Sequence, residues 1–178
     1  SDVAVRADSV TSRWRGTVFL VRELVPHPEY RPENPFFSNI ALLKLHTKMK
    51  FGKRVSPITL WPRMPHIGNE GFTTGWRADC NQNGKISRRS HLTKPLTTPV
   101  MILEPRHCFV INNRTYLTCV SSTTKLSNSG CSEDIGRLLV VRKKLAGFSL
   151  LTINQAFSVF NAVGPYIQWI KSVAFTSH

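Results

Sequence analysis

CSEDIGRLLV, residues 131–140, is the segment from which the architecture is most directly read. A cysteine, the acidic pair Glu133 and Asp134, and Gly136 lead into an apolar run that continues as RLLVVRKKLAGFSLL, residues 137–151. Both halves of that run are β-rich. KKLAG between them predicts a hairpin turn, with Val140 and Val141 on one strand and residues 146–151 on the next. Working outward, TVFLVREL (17–24), NIALLKL (39–45) and GFTTGW (71–76) are the clearest further strands. Pro26, Pro28, Pro32 and Pro35 punctuate one long connection, and Pro57, Pro62 and Pro65 another. Only the end, GPYIQWIKSVAF (164–175), reads as helix. Pro165 sits at its N-terminal position, and Ile167, Ile170, Val173 and Ala174 share a face. Short strands followed by one terminal helix predict an all-β barrel architecture. There is no internal repeat and no low-complexity segment.

Composition narrows the function classes. The 178 residues are long enough for one domain, or for two small ones sharing an interface, and 41% apolar content with 10% aromatics supports a packed core rather than a disordered chain. The most apolar stretch, residues 148–170, is broken by Asn154, Gln155, Asn161 and Pro165, which excludes a spanning helix. The chain begins Ser1-Asp2, with neither an initiator Met nor a signal peptide, the expectation for a processed chain or a fragment. Twenty-four Lys and Arg against ten Asp and Glu give a net charge of +14. A field of that sign attracts polyanions: nucleic acid, sulfated glycans, acidic lipid or an acidic protein. The cations fall in short groups such as residues 50–54, 85–94 and 142–144. None is interleaved with aromatics in the way a base-stacking platform needs, so nucleic acid is the weaker partner.

The four cysteines are an even number with no Cys-x-x-Cys pair and no histidine at zinc spacing. His107 beside Cys108 is incidental rather than a ligand, and no metal or cofactor is expected. Asn113-Arg114-Thr115 is a glycan acceptor sequon. With even cysteines it points to the oxidising, extracellular side, and hence to a secreted glycoprotein.

These segments resemble the chymotrypsin/trypsin serine-protease family, in the family's order and over nearly the whole chain. HPEY (27–30) followed by SNIALLKL (38–45) is similar to its His-Pro-x-Tyr…Asn-Asp-Ile-Ala-Leu-Leu-Lys-Leu, and GFTTGW to its Thr-Gly-Trp-Gly strand. TTPVMILEPRHC (97–108) resembles the Val-Pro-Val-Ile-x-x-x-x-Cys run, and YLTC (116–119) the Met-Ile-Cys that follows. CSEDIGRLLVV looks like the active-serine loop Cys-x-Gly-Asp-Ser-Gly-Gly-Pro-Leu, LAGFSLL like the Val-Gly-Ile-Val-Ser-Trp strand, and YIQWI like the terminal helix. The resemblance implies a double β-barrel with a C-terminal helix over residues 1–178. VAVRADSV (3–10) matches the strand after the family's histidine motif, so the first barrel is expected to be incomplete.

The same resemblance implies the loss of catalysis. The serine's place is taken by Ile135, which has no oxygen to attack a carbonyl, and is read as a buried aliphatic in a strand turn. The acid's place is Asn39, an uncharged turn residue that cannot stabilise an imidazolium. Ala-Ala-His-Cys does not occur in the chain, and none of its six histidines sits in a motif that makes it a base. Glu133 brings a negative charge to the oxyanion position. Asp134 remains at the position that in the family pairs with a freed N-terminus. Ser129 stands where the specificity pocket often has an aspartate, and Leu150, Leu151 and Thr152 replace the residues that hold substrate backbone. For disulfides the resemblance implies Cys108–Cys119. Cys131 has lost its usual partner in a shortened loop; Cys80 lies on a loop that in the family runs near Cys131, so the resemblance suggests a Cys80–Cys131 bridge.

The expectation is a secreted, catalytically inactive homologue that binds, regulates or decoys active proteases or their inhibitors. The rival is a basic glycosaminoglycan- or surface-binding module. A third reading, a serine endopeptidase completed by a missing N-terminal segment, is opposed by Ile135, which lies within the chain.

Overall fold

A computed structural model describes residues 3–10, 14–76, 95–108, 116–123, 135–153 and 157–175. Among these residues it contains an open sheet, a closed barrel and one α-helix, the arrangement that the sequence resemblance implies.

The open sheet is made of β1 (Ala4–Ala7), β2 (Thr17–Pro26) and β3 (Ala41–Leu45), antiparallel in that order. β1 pairs with the start of β2, Ala4 opposite Leu20 and Ala7 opposite Thr17. The register on β3 shifts between Val21 and Glu23, which makes Arg22 a bulge residue. Val21 is the one apolar side chain of these strands in the buried core, while Val18, Leu20, Leu24 and Leu43 are exposed.

The barrel follows. β4 (Glu70–Gly75), β5 (Leu96–Leu103) and β6 (Leu117–Ser122) are joined around the ring to β9 (Phe157–Ala162), β8 (Lys144–Thr152) and β7 (Leu138–Val141), and β7 closes on β4. Alternate residues point inward and form one cluster of Val100, Ile102, Val120, Leu139, Val141 and Phe160. Closure needs Gly71: a Cβ there would stand 2.5 Å from the Val140 carbonyl oxygen on the closing strand. A second cluster surrounds the Cys108–Cys119 disulfide with Leu117, Leu150 and Val159, and takes in Phe36 from the connection after β2. Closing a loop of 11 residues contributes about 3 kcal/mol in the chain-entropy model. The suggested Cys80–Cys131 bridge and the Asn113 sequon lie outside the described residues.

Two sequence expectations are corrected here. The β7–β8 turn is shorter and earlier than KKLAG. Val141 pairs with Lys144, and Arg142 (φ 46°) and Lys143 (φ 62°) form a two-residue turn. Paired positive φ values match the twist of the flanking strands, and that twist outweighs the poor fit of Arg and Lys to such a turn. In the terminal helix α1 (Ile167–Phe175), Ile167, Ile170 and Val173 are half-buried, but Ala174 is exposed. The stripe rotates towards Trp169, whose ring packs on His27. Pro165 lies in the short 3₁₀ turn Gly164–Tyr166 that opens this segment. Among the described residues no helix is long and apolar enough to cross a membrane.

The two halves meet along two seams. The linker between them lies beside β8, where Trp61 N–H donates to the Leu145 carbonyl (2.8 Å) and Leu145 N–H to the Thr59 carbonyl (2.9 Å). The second seam carries the site.

Candidate functional site

The loop between β2 and β3 is closed by His27 N–H donating to the Ile40 carbonyl at 2.9 Å. Near its end Ser38 is fully buried with a positive φ of 48°, which turns the chain sharply into Asn39. The Asn39 side-chain Nδ2 donates to the Pro35 carbonyl at 2.9 Å, within the same loop. Its backbone carbonyl accepts from Asn161 Nδ2 of β9 at 3.2 Å. Asn39, which the sequence resemblance sets at the acid's position, is thus held by a buried asparagine on the barrel, and its own amide is spent on shaping the turn.

Around this link lies a buried polar group. Tyr166 is almost fully buried, and its burial pushes the phenol pKa up. Asn161 and Ser38 stand near enough to its oxygen to oppose that rise, yet neither Tyr166 Oη nor Asn161 Oδ1 completes a well-formed hydrogen bond. Ser38 Oγ donates weakly to Glu29 Oε2 at 3.4 Å. His27 is part of the same wall. Its ring meets Tyr166 and Trp169 edge-on at 5.2 and 4.8 Å, and its Nδ1 accepts the Glu29 backbone N–H at 3.2 Å. Desolvation lowers its pKa, against the pull of the Glu29 carboxylate. Packed and bonded in this way, His27 acts as a packing residue.

Ile135, which the sequence resemblance sets at the serine's position, lies in the turn before β7. Ile135 is 66% exposed, not buried as the sequence suggests. The reason is the turn that follows it. Gly136 adopts φ 87° and donates to the Ser149 carbonyl (2.9 Å), and Arg137 N–H donates to Ser149 Oγ (2.9 Å). These bonds tie the chain to β8 from Gly136 onward. Leu139 and Val141 then fill the barrel interior, and Ile135 is left outside. No hydrogen bond joins Ile135 to Asn39 among the described residues. Glu133, Asp134 and Ser129 lie outside the described residues.

Arg137 was not singled out from the sequence. Its guanidinium donates to Thr152 Oγ1 (3.2 Å) and Ser158 Oγ (3.1 Å) and lies over the Phe160 ring at 5.9 Å. It therefore bridges the end of β8 to the start of β9, beside the Leu150–Thr152 run. An arginine opening an apolar strand is the signal by which it could have been found. Asn161 and Tyr166 left no such signal, because their roles depend on partners more than a hundred residues away. No group of three His, Cys, Asp or Glu side chains able to hold a metal occurs among the described residues.

Comparison with known proteins bears on the family and the fold. Human granzyme M is 26% identical over 175 residues, covering 89% of this chain and 64% of its own length. Mouse granzyme E is 30% identical over 160 residues, covering 85% and 61%. The chain thus spans less than two thirds of the curated relatives it matches. The structure of neuropsin, a serine protease expressed in the limbic system of mouse brain, superposes with a TM-score of 0.78 over 96% of this chain and 78% of its own, at 20% identity. A structure described as GrC does so at 0.77 with 24% identity, and at these identities the likeness is one of fold. Residues 1–170 match the Trypsin family model, and by that span the chain belongs to the trypsin family.

Proposed function

We propose that this chain is a non-catalytic member of its family, secreted, and acting as a binding, regulatory or decoy partner of active proteases or their inhibitors. The observation that carries the reading is Ile135. Acyl transfer needs a side-chain oxygen or sulfur made nucleophilic by a neighbouring base. At the family's serine position this chain offers an exposed aliphatic group instead. Asn39 supports the same reading. An aspartate there would orient and stabilise the charged imidazole, and losing that charge alone lowers turnover roughly 10⁴-fold in such triads. Here the side chain is neutral and already donates to Pro35. The Arg137 bridge ties the end of β8 to the start of β9, so this part of the barrel stays ordered without the catalytic groups, as a binding role requires.

The test uses the chain and its Ile135→Ser variant, each treated with a fluorophosphonate probe and with a range of peptide esters. Neither protein should label or turn over substrate. Stoichiometric, heat-sensitive labelling of the unaltered chain would overturn the reading. Labelling of the Ser variant alone would reveal a base that the sequence does not display.

A further inference from the structure

After β3 the chain reads KMKFGKR, residues 48–54, with four cations in seven positions. Gly52 N–H donates to the Val55 carbonyl at 2.8 Å, which folds the segment back and puts Lys53 and Arg54 at the tip of a tight turn. All four cationic side chains are exposed. Arg54 reaches across to Asp8, at the end of β1, with its Nε 3.0 Å from Asp8 Oδ1. That contact has two consequences. It fastens the loop to the β1–β2 hairpin, and it offsets the carboxylate that would otherwise repel an anion there. Lys48, Lys50 and Lys53 form no ion pair among the described residues. Between loop and hairpin lies a cleft of about 350 Å³, with Lys48, Met49, Lys50 and Val55 on one side and Ala7 and Phe19 on the other.

We propose that this loop and cleft bind a sulfated polysaccharide. The net charge of +14 favours a polyanion, and ammonium groups on flexible stems serve as adaptable point contacts for sulfate groups. Asp8 lines the cleft already paired, so a sulfate entering it meets lysine rather than a free carboxylate. Phe51, 64% exposed within the loop, is one ring only. That is too little to stack successive bases and short of the apolar face that an interfacial segment buries. The site does not depend on the state of the serine position: an active enzyme would carry it unchanged.

The test compares elution of the full chain from immobilised heparin and from a sulfopropyl resin. Two charge-matched triple variants accompany it, Lys48→Gln/Lys50→Gln/Lys53→Gln at the loop and Arg63→Gln/Lys143→Gln/Lys171→Gln at exposed positions elsewhere. Near-ultraviolet circular dichroism verifies that each variant is folded. The unaltered chain should elute from heparin at higher salt than from the resin. The loop variant should lose that excess and bind heparin about tenfold more weakly, the effect of three exposed ion pairs of ordinary strength. The control variant should shift alike on both supports. Equal weakening by both variants, or equal elution of the unaltered chain from both supports, would mean diffuse charge and overturn the proposal. So would tighter binding, through the same lysines, to phosphatidylserine vesicles or to a single-stranded oligonucleotide than to heparin.

Discussion

The barrel and the open sheet are built from the same kind of strand, yet they end in opposite states. In the barrel, Leu139, Val141, Ala146 and Phe160 are fully buried, and each strand has a neighbour on both edges. In the sheet, Leu24 and Leu43 sit directly opposite each other, and both are exposed, as are Val18 and Leu20. Strand pairing is therefore not what buries a side chain. Burial comes from closure, which places a second wall about 10 Å across and removes the edges that would otherwise stay open.

This contrast can be broken by mutation. Phe160→Ala should cost about 3–5 kcal/mol, because a fully buried ring is lost and a cavity remains. Leu20→Ala, at a site 63% exposed, should change stability by no more than about 0.5 kcal/mol. Urea unfolding of both variants measures the difference. A large cost at Leu20 would mean that something covers the sheet in solution, and the comparison would fail.

Closure itself can be tested next. Gly71→Ala pushes a methyl group against the Val140 carbonyl and should cost about 1–3 kcal/mol through strain at the β4–β7 junction. Gly52→Ala, in the loop after the open sheet, meets nothing within 4 Å and should be close to neutral by the same measurement. Equal costs would indicate that the barrel yields as easily as the loop.

The smallest effect concerns the seam between the halves. Burial lowers the His27 pKa in the folded chain below its ordinary 6.5. The unfolded chain then binds the proton more readily than the folded one below that pH, so His27 favours unfolding as the pH falls through 6.5 and has no effect above it. Folding stability measured from pH 7.5 to 5 should fall less steeply in His27→Gln than in the unaltered chain. An unchanged slope would place His27 outside the seam.

Much of the fold was readable from the chain. The runs at 17–24, 39–45 and 71–76 became β2, β3 and β4 with small shifts at their ends, since alternation and turn residues act locally. The pairing of Cys108 with Cys119 was readable only by resemblance, because four cysteines admit three pairings and composition does not choose among them. That Ile135 carries no side-chain oxygen was legible because it belongs to the residue itself. Its exposure was not, because it follows from the Gly136 φ and the bonds to Ser149 on a neighbouring strand.

Residue order, then, carried the chemistry that each side chain can offer, and the strand content that periodicity records. Three-dimensional packing settled the surroundings. It joined Asn39 to Asn161 across 122 residues, set His27 against Tyr166 and Trp169, and brought Arg54 to Asp8 beside Lys48, Lys50 and Lys53. Such contacts depend on how the chain closes on itself, and closure is a long-range event that no local pattern encodes.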